Sequence, residues 1–212
     1  FNENTCFYDE QNQEHRFNKH RTEVTTDIAI ERLEKIKENP FFMCVAYQAP
    51  HYPIQPLPKY DEMYKEVKIQ RRPNMKDIEP YTKTHSPPGP LKQEESPDYQ
   101  RYGKSLDEYR RLYYAMVTQI DANVGRLLQK VDEWGLRDNT VIIFSSDHGD
   151  MQGSHGFKNK QLPYEESAGI PLIVQAPSGT KNTISDACVS AVDFHTTFLD
   201  FAGINIDPHL PG

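Results

Sequence analysis

The chain has 212 residues, an apolar fraction of 36% and a formal net charge of −7, which suits one domain, or most of one large domain, with a sizeable core. The acidic balance and the lack of a long basic patch argue against a nucleic-acid partner; no apolar run approaches the ~20 residues of a membrane span. Cys6, Cys44 and Cys188 are far apart and form no C-x-x-C pair, which excludes zinc-ribbon and thioredoxin-like readings and makes no disulfide framework. The first residue is Phe1 rather than Met, so the lack of a leader says little about compartment.

Residues 1–22 are polar and without period, and read as irregular, with His15, His20 and Arg21 as solvated surface. A helix is predicted from Thr25, capped by Thr25 or Thr26, with Asp27 at its positive end. Ala29, Ile30, Leu33 and Ile36 follow helical spacing, and Asn39-Pro40 ends it. Phe41–Tyr47 reads as a buried strand with Cys44 as a core thiol. A helix followed by such a strand is half of a βαβ unit. Pro50, Pro53, Pro56 and Pro58 then stiffen the next loop. His51, between Pro50 and Pro53, stands where a polar side chain can be held for function, an ordinary loop histidine being the alternative.

Lys59 to Tyr102 is charged and aperiodic, a segment that either shapes a substrate pocket or covers surface. Ser105 to Trp134 is the clearest helix. Ser105 and Glu108 make a capping box, and Tyr109, Tyr113, Met116, Ile120, Val124, Leu127 and Val131 share one face. Gly135 suits the position after its end. Asp121 reads as a structural acceptor or a surface residue, not as catalytic.

Thr140–Phe144 is a run of β-branched and aromatic residues, suited to a strand buried on both faces. It changes abruptly to Ser145-Ser146-Asp147-His148-Gly149-Asp150, then Gly153-Ser154-His155-Gly156. Ligands of open α/β sheets bind beyond the carboxyl ends of the strands, and Asp147 and His148 stand there as a candidate metal-binding pair. Ile170–Val174 predicts another strand, and Val189–Ala202 a helix stopped by Gly203. The fold expected is α/β: a central, mostly parallel or mixed sheet flanked by helices, with the Phe41 and Thr140 strands interior.

Three motifs occur in order: Pro50-His51-x-Pro53, Ser146-Asp147-His148-Gly149 and Lys160-x-x-x-Tyr164-Glu165. Together with Gly169-Ile170-Pro171-Leu172-Ile173-Val174 and Val192-Asp193…Leu199…Ala202-Gly203-Ile204, the chain from about Thr26 onward resembles the sulfatase family of the alkaline phosphatase superfamily. The resemblance implies an alkaline-phosphatase-like fold. It implies that Asp147 and His148 bind one divalent cation, Ca2+ ahead of Mg2+, although an imidazole is a less usual calcium ligand. It implies that His51 and Lys160 contact the sulfate, with Lys158 off register, and that His155 lines the pocket without an assigned step. The partner implied is a sulfated small molecule or sulfated sugar, and the compartment periplasmic, secreted or lysosomal. The chemistry agrees: hydrolysis of a sulfate ester leaves an alkoxide, and fixed cations stabilise charge where it develops.

Two departures matter. The family uses a formylglycine made from Cys or Ser in C/S-x-P-x-R, and no Cys or Ser of this chain stands in that motif. The family's Asp-Asp metal pair is also absent. The expectation is therefore that residues 1–212 are part of one sulfatase-like catalytic domain, its nucleophile-bearing N-terminal part and smaller C-terminal subdomain missing, and inactive alone. A two-zinc phosphatase reading is disfavoured because no Asp lies between Phe41 and Lys59. A phosphodiester or phosphonate monoester hydrolase of the same superfamily, and a non-catalytic module binding sulfated ligands, are the alternatives.

Overall fold

The strongest periodicity in the sequence builds the longest element. In a computed structural model that describes residues 5–75 and 105–211, the capping-box helix runs Leu106–Glu133 (α3, after two earlier helices). Ser105 Oγ accepts the Glu108 N–H at 3.1 Å, which satisfies one of the open donors of the first turn. Its far end is a Schellman closure: Leu136 N–H donates to Val131 O and Gly135 N–H to Asp132 O, both at 2.9 Å. Gly135 sits at φ +67°, which glycine adopts without Cβ strain. Tyr109, Met116, Ile120 and Val131 are buried along its inner face, whereas Asp121 is exposed. Asp121 is therefore a surface residue.

Two helices pack on α3: α1, Arg21–Ile36, and α2, Pro58–Tyr64. The start of α1 corrects the sequence reading. The helix begins four residues before Thr25, and its N-cap is His20, whose Nδ1 accepts the Thr22 N–H at 3.1 Å. Thr26 lies inside the helix, with Oγ1 bonded back to Thr22 O at 3.0 Å. His20 is only 1% exposed, not solvated, because its Nε2 also reaches Gln55 O at 2.9 Å and so ties α1 to the proline loop. Residues expected to be irregular form an antiparallel hairpin, β1 (Thr5–Tyr8) with β2 (Glu14–Phe17). Asp9 Oδ1 accepts the N–H groups of Gln11 and Gln13 across its turn, and Asn12 takes φ +59° there, a position that Asn tolerates.

The proline loop is seated in the core. Ala49 and Ile54 are buried with Leu106, Tyr109, Met116 and Ile120, and Leu57 N–H donates to Gln119 Oε1 at 2.9 Å.

The remaining strands differ from expectation. β3 (Ile142–Ser145) pairs antiparallel with β4 (Leu172–Gln175), Ile143 opposite Val174. Among the described residues the ladders are antiparallel, and no parallel central sheet is formed. Phe41–Tyr47 is outside any ladder, since no described segment supplies hydrogen-bond partners for it. Half-buried and exposed residues alternate along it, and Cys44 falls on the exposed side rather than in a core. β4 is likewise uncovered, with Ile173 64% exposed. Burial of such strands needs a second layer, which the described residues do not provide. A four-residue helix α4 (Glu165–Ala168) precedes β4, and α5 (Asp193–Phe201) closes the order. Most of the Lys59–Tyr102 segment beyond α2 lies outside the described residues.

Candidate functional site

The site grows from the carboxyl end of β3. The chain leaves the strand at Ser145 and turns through Ser146–Asp150. Gly149 approaches α4 so closely that an added Cβ would collide with the Glu166 carbonyl, and its N–H donates to Ser167 O at 2.8 Å. Glycine is therefore needed here for space.

Asp147 and His148 face one another at the bend. His148 Nδ1 lies 2.7 Å from Gly149 O, a carbonyl that can only accept, so Nδ1 carries a proton, and in the neutral ring that a metal requires Nε2 presents its lone pair. That lone pair is 3.5 Å from Asp147 Oδ2. Two donors each ~2.3 Å from a shared ion and at right angles would be about 3.3 Å apart, so the pair fits one divalent cation. Asp147 Oδ1 is steadied by the His148 N–H at 3.0 Å, while its side chain is largely exposed. Among the described residues no third His, Cys, Asp or Glu joins the group.

Asp150 holds the loop from beneath. Its Oδ1 accepts the Tyr109 hydroxyl at 2.9 Å and the Gln152 N–H at 2.9 Å. Burial pushes its carboxyl up to about 6, against those two bonds and the nearby charges of Lys160 and His148. Lys160 and His148 thus act on the same carboxyl. Burial, then the charges of Asp150 and Asp147, raise the Tyr113 hydroxyl above its ordinary range, and Arg72 opposes them. Tyr113, Tyr114, Arg72, Gly149, Asp150 and Glu166 line a cavity of about 620 Å³, in the range of small-molecule sites.

Lys160 is half-buried. Lys158, two residues earlier, is 1% exposed and engaged. His155 is exposed, at φ +54°. Its ring stacks on Tyr164 at 4.2 Å, and its Nε2 lies 3.1 Å from the Asn74 amide. Asn74 also donates to Glu166 Oε1 at 2.5 Å, which holds the Glu166 carboxyl below its usual range. His51 is half-buried; its Nδ1 lies 2.8 Å from Tyr52 O, and the two rings are 4.1 Å apart. Among the described residues no hydrogen bond joins it to Asp147 or His148. The link runs through the core, where Ala49 and Ile54 of its loop pack in one cluster with Tyr109, the residue that bonds Asp150.

Sequence reasoning passed over Asp150, Tyr109, Arg72 and Asn74. The first adjoins Gly149, and a carboxylate next to a run expected to be a buried strand calls for a donor. Tyr109 was legible only as an apolar stripe residue. For Arg72 and Asn74, which meet residues about eighty positions away, no local signal exists.

A family model described as Sulfatase matches residues 1–204. The chain is 32% identical to an arylsulfatase of Clostridium perfringens over 82% of its own length and 36% of that protein. It is 40% identical to an N-acetylglucosamine-6-O-sulfatase of Bacteroides thetaiotaomicron over 52% of its length and 21% of that protein. Among solved structures, a protein in complex with its substrate D-glucosamine-2-N,6-O-disulfate is matched over 100% of this chain and 54% of that chain, at TM-score 0.82 and 26% identity. The chain belongs to the sulfatase family. It spans about a third of the length of the arylsulfatase that it matches. Its fold is a mixed helix and strand arrangement shared with a solved putative sulfatase of Bacteroides fragilis, matched at TM-score 0.65 and 27% identity over 83% of this chain and 36% of that one, and no described helix is long and apolar enough to cross a membrane.

Proposed function

We propose that this chain supplies the metal-binding and sulfate-binding groups of a sulfuric ester hydrolase acting on a sulfated sugar or other sulfated small molecule. The observation that carries the reading is the strand-end bend, where Asp147 Oδ2 and His148 Nε2 converge at 3.5 Å. Asp147 and His148 would hold a divalent cation, Ca2+ ahead of Mg2+, which when bound would supply Lewis acidity at the sulfate oxygens. A formylglycine outside these 212 residues supplies the nucleophile. Support for this placement is that no Cys or Ser here stands in C/S-x-P-x-R.

The chain's own residues do the rest. Lys160 places a point charge beside the anionic ester. His51 donates Nδ1–H to Tyr52 O, so it is the imidazolium form of the ring that can donate from Nε2 to the sulfate or to the departing oxygen. His155 borders the pocket. Asp150 and Tyr109 keep the bend in place, so the ligands need not reorganise as charge develops. The 212 residues alone are expected to give no turnover, because covalent catalysis needs an activated nucleophile.

The test is hydrolysis by the complete protein of a chromogenic aryl sulfate and a panel of sulfated sugars, beside matched phosphate di- and phosphonate monoesters. Turnover of at least one sulfate ester supports the reading. Turnover of the phosphorus esters alone contradicts it, and turnover of neither class favours a binding module.

A further inference from the structure

We propose that Arg72 is a specificity residue that reads a second anionic group, a carboxylate or another sulfate, on the molecule carrying the reacting ester. The inference rests on the reading of the Asp147–His148 bend as a sulfate-ester site. Arg72 lines the cavity that opens beside Gly149 and Asp150, and its charge acts on Tyr113 in opposition to Asp147 and Asp150. It therefore belongs to the electrostatic surroundings of the candidate centre.

Its bonding sets it apart from the other described arginines. Arg16, Arg32, Arg71, Arg111, Arg126 and Arg137 are paired with carboxylates, and Arg21 and Arg110 donate to backbone carbonyls. Arg72 donates from Nη1 to the neutral hydroxyl of Ser154 at 3.2 Å. Among the described residues no carboxylate pairs with it. The three carboxylates in the cavity wall have other partners: Asp150 accepts from Tyr109 and from the Gln152 N–H, Glu166 accepts from Asn74, and Glu165 lies against Gly169. A guanidinium with open donors is a planar fork matched to carboxylate or sulfate oxygens.

The backbone that carries this exposed side chain is fixed in place. Met75 N–H donates to Arg72 O at 3.0 Å, His155 N–H to Asn74 O at 3.0 Å, and Met75 forms a bridge with Ser154. The Arg72–Met75 turn is therefore docked on the same loop that carries His155. Tyr114, 42% exposed in the cavity wall, offers a ring face for the body of the ligand.

The experiment uses the complete protein, with Arg72→Gln and Arg72→Lys variants. Inhibition of p-nitrophenyl sulfate hydrolysis is measured with N-acetylglucosamine 6-sulfate and with D-glucosamine-2-N,6-O-disulfate. Wild type should bind the disulfate about tenfold or more tightly than the monosulfate. Arg72→Gln should collapse that ratio towards one while changing the monosulfate constant less than threefold, and Arg72→Lys should keep part of it. Absence of a preference in wild type, or equal weakening of both sugars by Arg72→Gln, would overturn the assignment. If wild type hydrolyses no sulfate ester, the functional reading has failed, and calorimetric binding of the same two sugars decides Arg72 separately: a disulfate preference lost in Arg72→Gln upholds it, and no difference between the proteins overturns it.

Discussion

His20 gives a prediction in which cap, core and pH meet at one side chain. Its Nδ1 accepts the Thr22 N–H, and its Nε2 donates to Gln55 O. The cap bond requires a lone pair on Nδ1 and hence the neutral ring, and burial holds the imidazole below its ordinary 6.5, against the pull of the Gln55 carbonyl, which would also accept from the charged ring. Replacement by Ala removes the cap, worth about 0.5–2 kcal/mol, and leaves a buried carbonyl open, worth about 1–3 kcal/mol. The expected loss for His20→Ala is therefore about 2–4 kcal/mol. At about 2–4 °C per kcal/mol for a chain of this size, Tm should fall by roughly 5–15 °C. The sign of the pH effect follows from linkage. Because the folded pKa is lowered, the folded state binds fewer protons than the unfolded, and stability is full above about 6.5 and declines as pH falls through that value towards the folded pKa. Below the folded pKa the loss is complete. His20→Asn can cap but does not titrate, so wild type should exceed it at pH 8, and that advantage should shrink as pH falls from 8 to 5. Denaturant unfolding of the complete protein at a series of pH values reads this directly. A wild-type-minus-His20→Asn difference that stays constant from pH 8 to pH 5 would refute the reasoning.

Gly149→Ala should force the bend away from α4, since the new Cβ would strike the Glu166 carbonyl; metal affinity, read by titration of the stripped protein, should drop about 10–100-fold, and unchanged affinity would mean the bend does not position the ligands. Met116, 0% exposed beside Tyr109 and Ile120, should cost about 2–5 kcal/mol as Met116→Ala in denaturant unfolding, and a cost below about 1 kcal/mol would show that the core closes around the gap.

What could be read from residues alone was whatever is encoded locally. α3 carries its whole description in sequence: Ser105 and Glu108 at the start, an apolar stripe, and Gly135 at the close. The Asp147–His148 pair was legible for the same reason, since one bend brings both together. The start of α1 was missed because Thr25 and Thr26 look like caps, while the cap in use is an imidazole whose other nitrogen is fixed 35 residues away. The β1–β2 hairpin was missed because its short strands lack alternation; Asp9 and Asn12 were the turn signal available. Phe41–Tyr47 has the composition of a buried strand, but a strand exists only with a partner, and composition does not say where the partner lies. The wall formed by Arg72, Asn74 and Ser154 joins residues about eighty positions apart, and nothing in either stretch points to the other.

The central claim is that Asp147 and His148 hold the cation on which sulfate-ester hydrolysis depends. The most direct measurement is metal content and initial rate on the best sulfate ester, taken together, for the complete wild-type protein and for Asp147→Ala. The account predicts about one divalent cation and measurable turnover in the wild type, and loss of both in Asp147→Ala, whose exposed side chain makes unfolding an unsuitable explanation once circular dichroism matches the wild type. A correctly folded Asp147→Ala protein that keeps its metal and its turnover would contradict it.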